Sequence, residues 1–117
     1  MSTRNYWPGT TNKYHAKKTL SELCGRVFDS MAEARRGEEL RLLELAGEIK
    51  RLTYQVRYIL CDKPRVTIKI DFRYEENGEA VYEDTKGVMT RDFRTKLAWL
   101  KEKHGIKVRI NGNEVSQ

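Results

Sequence analysis

The dipeptide Asn77-Gly78 constrains this chain more than any other feature, because Asn-Gly between alternating apolar runs is the strongest short hairpin signal. Taken as a two-residue turn, it pairs its flanks outward: Glu76 meets Glu79, Tyr74 meets Val81, and Asp71 meets Asp84. Lys86 lies two residues beyond Asp84 and so shares its face. That register puts two carboxylates about 5 Å apart between Cβ atoms, with an amine roughly 7 Å along the strand. Like charges directly opposite destabilise a sheet. A divalent cation is the natural group to offset the repulsion.

The rest of the chain builds around this hairpin. Residues 1–18 read as a flexible basic arm, with Pro8-Gly9 as a breaker and Lys13, Lys17 and Lys18 interleaved with Tyr6, Trp7 and Tyr14. Residues 19–117 read as a single domain that begins with a small hairpin over 19–28, Cys24-Gly25 at its tip. A helix over 31–46 follows. Ser30 is its N-cap, Glu33 stands at N3 as in a capping box, and Gly47 is its C′ residue. Leu42, Leu45 and Ile49 form the expected apolar line, with Met31 and Ala34 near its start and Leu40 and Leu43 widening it.

Strict alternation predicts a strand over 52–60 and another over 66–74, with Val66, Ile68, Ile70, Phe72 and Tyr74 facing one way. Asp62-Lys63-Pro64-Arg65 turns the chain between them. A third strand, 79–86, follows the Asn-Gly turn. Thr90 caps a second helix over 91–104, whose inward line is Phe93, Leu97, Leu100 and His104; Gly105 stops it. A short strand from Ile106 to Ile110 closes the fold. The expected class is α/β: helix, three-stranded antiparallel meander, helix, strand.

The 117 residues carry 23 Lys and Arg against 17 Asp and Glu, a net charge of +6 that favours a polyanionic partner such as DNA. Cys24 and Cys61 lack metal-ligand spacing, and no apolar run is long enough to span a membrane. The expectation is a cytoplasmic protein with reduced thiols and no membrane partner.

On the polar face of the central hairpin, Asp71 and Asp84 are candidate ligands for Mg²⁺ or Mn²⁺, hard cations that take oxygen donors. Lys86 is a candidate for stabilising charge on a phosphate. Gln55 lies on the corresponding face of the preceding strand, a candidate support for Asp71. The competing account is an ordinary solvated sheet face. Glu83, by alternation, turns to the apolar side and pairs with an Arg or sits at the sheet margin.

These residues carry a resemblance. Asp71 on the second strand and Asp84-Thr85-Lys86 on the third resemble the PD-(D/E)XK nuclease superfamily, which has a restriction-endonuclease-like core and includes Holliday-junction resolvases. The first Pro of that name is replaced by Ile70. Asn12-Lys13-Tyr14, Ala16-Lys17-Lys18, Phe28-Asp29-Ser30, Glu33-Ala34, residues 43–49 and residues 83–87 further resemble a family of small phage and prophage proteins of unknown function placed in that superfamily. The resemblance implies a Mg²⁺-dependent DNA endonuclease, acting on branched DNA in phage recombination within the host cytoplasm. It implies a catalytic set of Asp71, Asp84 and Lys86, with Glu33 as a further acid on the metal. Glu33 has a competing role as a capping residue. Arg73, Arg91, Arg94 and Lys96, with Lys13, Lys17 and Lys18 of the arm, are the candidate phosphate contacts. A homodimer would give each DNA strand its own site. The alternative is a basic DNA-binding or regulatory protein on the same fold that does not cleave.

Overall fold

A computed structural model describes residues 17–114. The chain parts into two units between Leu43 and Glu44. In the first, β1 (Thr19–Ser21) and β2 (Arg26–Phe28) make a two-stranded antiparallel sheet with Leu20 opposite Val27. Cys24-Gly25 lies in the connecting turn, where the Gly25 N–H donates to the Ser21 carbonyl at 2.9 Å. Helix α1 (Met31–Leu45) follows. Ser30 caps it: its Oγ accepts the Glu33 N–H at 3.0 Å.

The buried face of α1 differs from the expected line. Glu33, Ala34, Gly37 and Leu40 are buried, whereas Met31, Leu42 and Leu45 are more than half exposed. Positions 33, 34, 37 and 40 form one helical stripe. Ala34 and Leu40 of the expected line are in it, and Ile49 beyond the helix is buried too, but Glu33 and Gly37 replace Met31, Leu42 and Leu45.

The second unit holds β3 (Lys50–Cys61), β4 (Val66–Glu76), β5 (Glu79–Asp84), α2 (Arg91–His104), β6 (Val108–Ile110) and β7 (Asn113–Glu114). The strands lie in that order in one five-stranded mixed sheet. β3, β4 and β5 form the antiparallel meander; β6 runs parallel to β5, and β7 returns antiparallel. The parallel step follows from the α2 crossover, since parallel neighbours need a long connection. The Asn77-Gly78 turn sets the expected register, with Glu76 opposite Glu79 and Tyr74 opposite Val81. Both turn residues have positive φ, 54° and 80°, which Asn and Gly tolerate best. Asn111-Gly112 repeats the device between β6 and β7, a hairpin that the sequence reading, which ended at Ile110, did not include.

Helix α2 is capped as expected, with Thr90 Oγ1 accepting the Phe93 N–H at 3.1 Å and Gly105 in the left-handed region at the other end. Leu97 and Leu100 pack with Leu60, Ile68, Ile70, Val108 and Ile110 into one core cluster, edged by Phe93, Tyr58 and Tyr82. His104 does not join this inward line. It is exposed, and its Nε2 lies 3.2 Å from the Ile59 carbonyl while Lys103 Nζ donates to the Leu60 carbonyl. These contacts tie the last turn of α2 to β3. No helix among the described residues is long and apolar enough to cross a membrane. Cys24 and Cys61 are free.

The apolar residues of β4 do not share one face as expected. Registered neighbours in a sheet point the same way. Phe72 registers with Glu83, whereas Tyr82, the next residue along, registers with Val108 and packs with it in the α2 cluster. Ile70 also belongs to that cluster; Phe72 and Tyr74 are buried outside it. The facing of β4 therefore changes between Ile70 and Phe72, at Asp71.

Candidate functional site

Three adjacent strands meet at that change of face. The pairs Tyr54–Phe72 and Val56–Ile70 place Gln55 across from Asp71 on one side. The β4–β5 register carried one step past Phe72–Glu83 places Asp84 across from Asp71 on the other. Ladder pairing stops there because side chains replace the backbone acceptors. The Asp71 N–H donates to Asp84 Oδ1 at 2.8 Å, and the Thr85 N–H donates to Asp71 Oδ2 at 3.0 Å. Each carboxylate thus holds the other strand's main chain. This exchange ends β5 at Asp84, two residues short of the expected strand.

Neither aspartate is solvated. Asp71 is 6% exposed and Asp84 0%, which corrects the expectation of an open polar face. Asp84 registers with Ile110 of the core cluster and so shares its buried face, and Asp71 stands where β4 changes face. Burial first, and then the neighbouring Asp71, push the Asp84 carboxyl up to about 7 against the opposing pull of Lys86 and the Asp71 N–H. Asp84 Oδ2 is buried and accepts no hydrogen bond. Lys86 Nζ lies 3.2 Å from it as an ion pair. The same ammonium lies 4.3 Å above the centre of the Phe93 ring, a cation–π contact at the start of α2. Lys86 remains a third exposed and can meet a ligand from solvent.

Gln55 is half-buried with φ of 58°. A left-handed residue inside a strand stores about 1–3 kcal/mol of strain and persists only where its surroundings enforce it. Here it stands beside the turnover of β4.

Two further residues take part that the sequence reading left out of the site. The sequence places Phe93 only in the apolar line of α2. Asn111 holds the loop after β5: its Oδ1 accepts the Lys86 N–H at 3.1 Å, its Nδ2 donates to the Lys86 carbonyl at 2.9 Å, and its own N–H donates to the Asp84 carbonyl at 2.9 Å. The second Asn-Gly pair was the visible signal for a turn at that position; its reach to Lys86 depends on the parallel β5–β6 pairing.

Glu83 does not lie at the sheet margin. It is 0% exposed on an interior strand and accepts the Tyr74 hydroxyl at 2.8 Å, because it shares the Phe72 face. Among the candidate DNA contacts, Arg91 and Arg94 are exposed in the first turn of α2, and Lys96 lies 3.6 Å from Asp92. Arg73 has its pKa raised, first by its hydrogen bond to Tyr82 and less by Glu75, which lies 3.4 Å away. Lys17 is exposed and Lys18 pairs with Asp29 at 3.1 Å. Lys13 falls outside the described residues.

Two neighbouring carboxylates suit Mg²⁺ or Mn²⁺ by donor type. Among the described residues no group of three or more His, Cys, Asp or Glu side chains forms a cage. Mg²⁺ is commonly held by one or two carboxylates with water and substrate phosphates, so Asp71 and Asp84 fit that mode.

Residues 11–112 match the family described as "Protein of unknown function (DUF1064)", and the chain belongs to it. No curated protein and no solved structure matches.

Proposed function

We propose that this member of the DUF1064 family is a Mg²⁺- or Mn²⁺-dependent DNA endonuclease, with branched DNA as its favoured substrate. The observation that carries the reading is the buried, unbonded Asp84 Oδ2, beside a second carboxylate and within 3.2 Å of the Lys86 ammonium. The element order, with β6 parallel to the third strand of the meander, also supports a restriction-endonuclease-like core.

In this reading Asp71 and Asp84 present anionic oxygens to the metal. The Asp71 and Thr85 N–H groups hold one oxygen of each carboxylate and fix its direction. A bound Mg²⁺ would supply Lewis-acid polarisation of a phosphate oxygen and a more acidic water. Lys86 offers its ammonium to charge growing on the scissile phosphate. Gln55 supports the strand opposite Asp71. Labelled linear, forked and four-way DNA incubated with Mg²⁺, Mn²⁺ or EDTA tests the activity. Cleavage with metal and none with EDTA is expected. A variant carrying both Asp71→Asn and Asp84→Asn that cuts as well as wild type would refute the site.

Two further results are expected. DNA affinity should fall steeply with salt through counterion release, and replacing Arg91 and Arg94 together by Ala should reduce the log–log slope by about 1–2. An unchanged slope would remove the start of α2 from the DNA surface. Glu33, the further acid implied by the resemblance, is tested by Glu33→Gln. Gln keeps the size of the side chain and a carbonyl oxygen able to cap, but not the charge. The variant should melt within about 1–2 °C of wild type, a few tenths of a kcal/mol, and lose most cleavage. Full activity would leave Glu33 as a helix cap.

A further inference from the structure

We infer that Asn111 is the positioning residue for Lys86, clamping its main chain so that the ammonium stands beside Asp84. One side-chain amide meets both the N–H and the carbonyl of Lys86, at 3.1 and 2.9 Å. Two bonds to one residue fix rotation as well as distance, which a single bond does not. Lys86 lies in the segment after β5 with no ladder partner, and Gly87 follows it. The clamp supplies the order that the ladder lacks there. The base of the clamp is also fixed. Asn111 has φ of 54° in the tight turn with Gly112, and its N–H binds the Asp84 carbonyl at 2.9 Å. Asp84 and Lys86 are thus referenced to one residue, brought to them by the parallel pairing of β6 with β5.

The kinetic consequence rests on the nuclease reading above; the effect on Lys86 itself does not. Asn111→Gly is the informative change. Gly adopts the same positive φ, and Gly-Gly suits the same turn. The N–H bond to Asp84 is kept, and only the amide clamp is lost. Two measurements are made on the full chain. Hydrogen exchange of the Lys86 amide should quicken by about fivefold or more, as expected for loss of one modest hydrogen bond, while the Asp71 and Thr85 amides keep their rates. In single-turnover cleavage of four-way DNA with Mg²⁺, the maximal rate should fall by about tenfold to a hundredfold, the cost of misplacing a working group, with the half-saturating DNA concentration unchanged. On a Lys86→Met background Asn111→Gly should have no further effect, because it acts through that lysine.

Equal cleavage by Asn111→Gly and wild type overturns the inference. So does an equal loss on the Lys86→Met background, which would mark a general structural role. If wild type cuts no DNA with either metal, the nuclease reading fails and exchange decides alone: a quickened Lys86 amide sustains the clamp, and an unchanged one overturns it.

Discussion

Asp84→Asn should abolish metal-dependent cleavage and, at pH 8, make the protein more stable than wild type. The two effects share one cause. Asp84 is fully buried, and burial together with Asp71 raises its carboxyl from an ordinary 3.8 to about 7. Between those values the folded chain holds a proton that the unfolded chain has released. Stability therefore falls as pH rises through that window and is lowest above about 7. The penalty at pH 8 is on the order of 4 kcal/mol from the size of the shift. Asn removes the charge and can still accept the Asp71 N–H through its own oxygen. Denaturant titrations of both proteins from pH 4 to pH 9 should show the Asn variant ahead at pH 8 and the difference closing toward pH 4. Wild-type stability that is flat across pH 4–8 would mean that Asp84 ionises without penalty. Cleavage should rise with pH through the neutral range as the carboxylate forms, and Mg²⁺ should raise the melting temperature most above pH 7, where the repulsion is greatest.

Lys86→Met should lower both activity and stability, the opposite stability change from Asp84→Asn two residues earlier in the chain. Met keeps an apolar stem near the Phe93 ring and deletes only the ammonium. The carboxylate pair then loses the cation 3.2 Å away, so ionising Asp84 becomes costlier still. Lys86 is a third exposed, and solvent moderates the loss to about 1 kcal/mol at pH 8. Cleavage should fall by about 10²–10³, the typical cost of deleting one charge-stabilising donor. The measurements are the melting temperature at pH 8 and the single-turnover rate with saturating Mg²⁺. A variant that melts lower and cuts at the wild-type rate would confine Lys86 to balancing Asp84. The contrasting signs test the arrangement as a whole: one acid too many for the fold, and one cation that makes it tolerable.

The elements were legible because their signals are local. Ser30 and Thr90 cap helices that begin where their side chains can take orphan N–H groups, and Gly105 ends α2 because its left-handed φ suits a glycine. Asn77-Gly78 fixed the β4–β5 register, and with it the meeting of Asp71 and Asp84, since a two-residue turn leaves no freedom in the pairing. Alternation alone extended β4 as a regular strand with a wet face. The facing change at Asp71 escaped it because that change involves Gln55 on one neighbour and Asp84 on the other, which no sequence window spans. The buried stripe of α1 escaped in part for a related reason: Glu33 and Gly37 carry no hydrophobic signal of their own.

What the sequence alone determined, then, is where the chain turns, where its helices start and stop, and which two acids and which lysine come together. Only the tertiary structure decided that the acids are buried and that one carboxylate oxygen has no hydrogen bond. It also decided that Asn111, twenty-five residues beyond Lys86, grips that lysine's main chain. The reason is one of range. Turns, caps and periodicity depend on neighbours in sequence, while burial, pKa and the β5–β6 pairing depend on residues brought together by the α2 crossover.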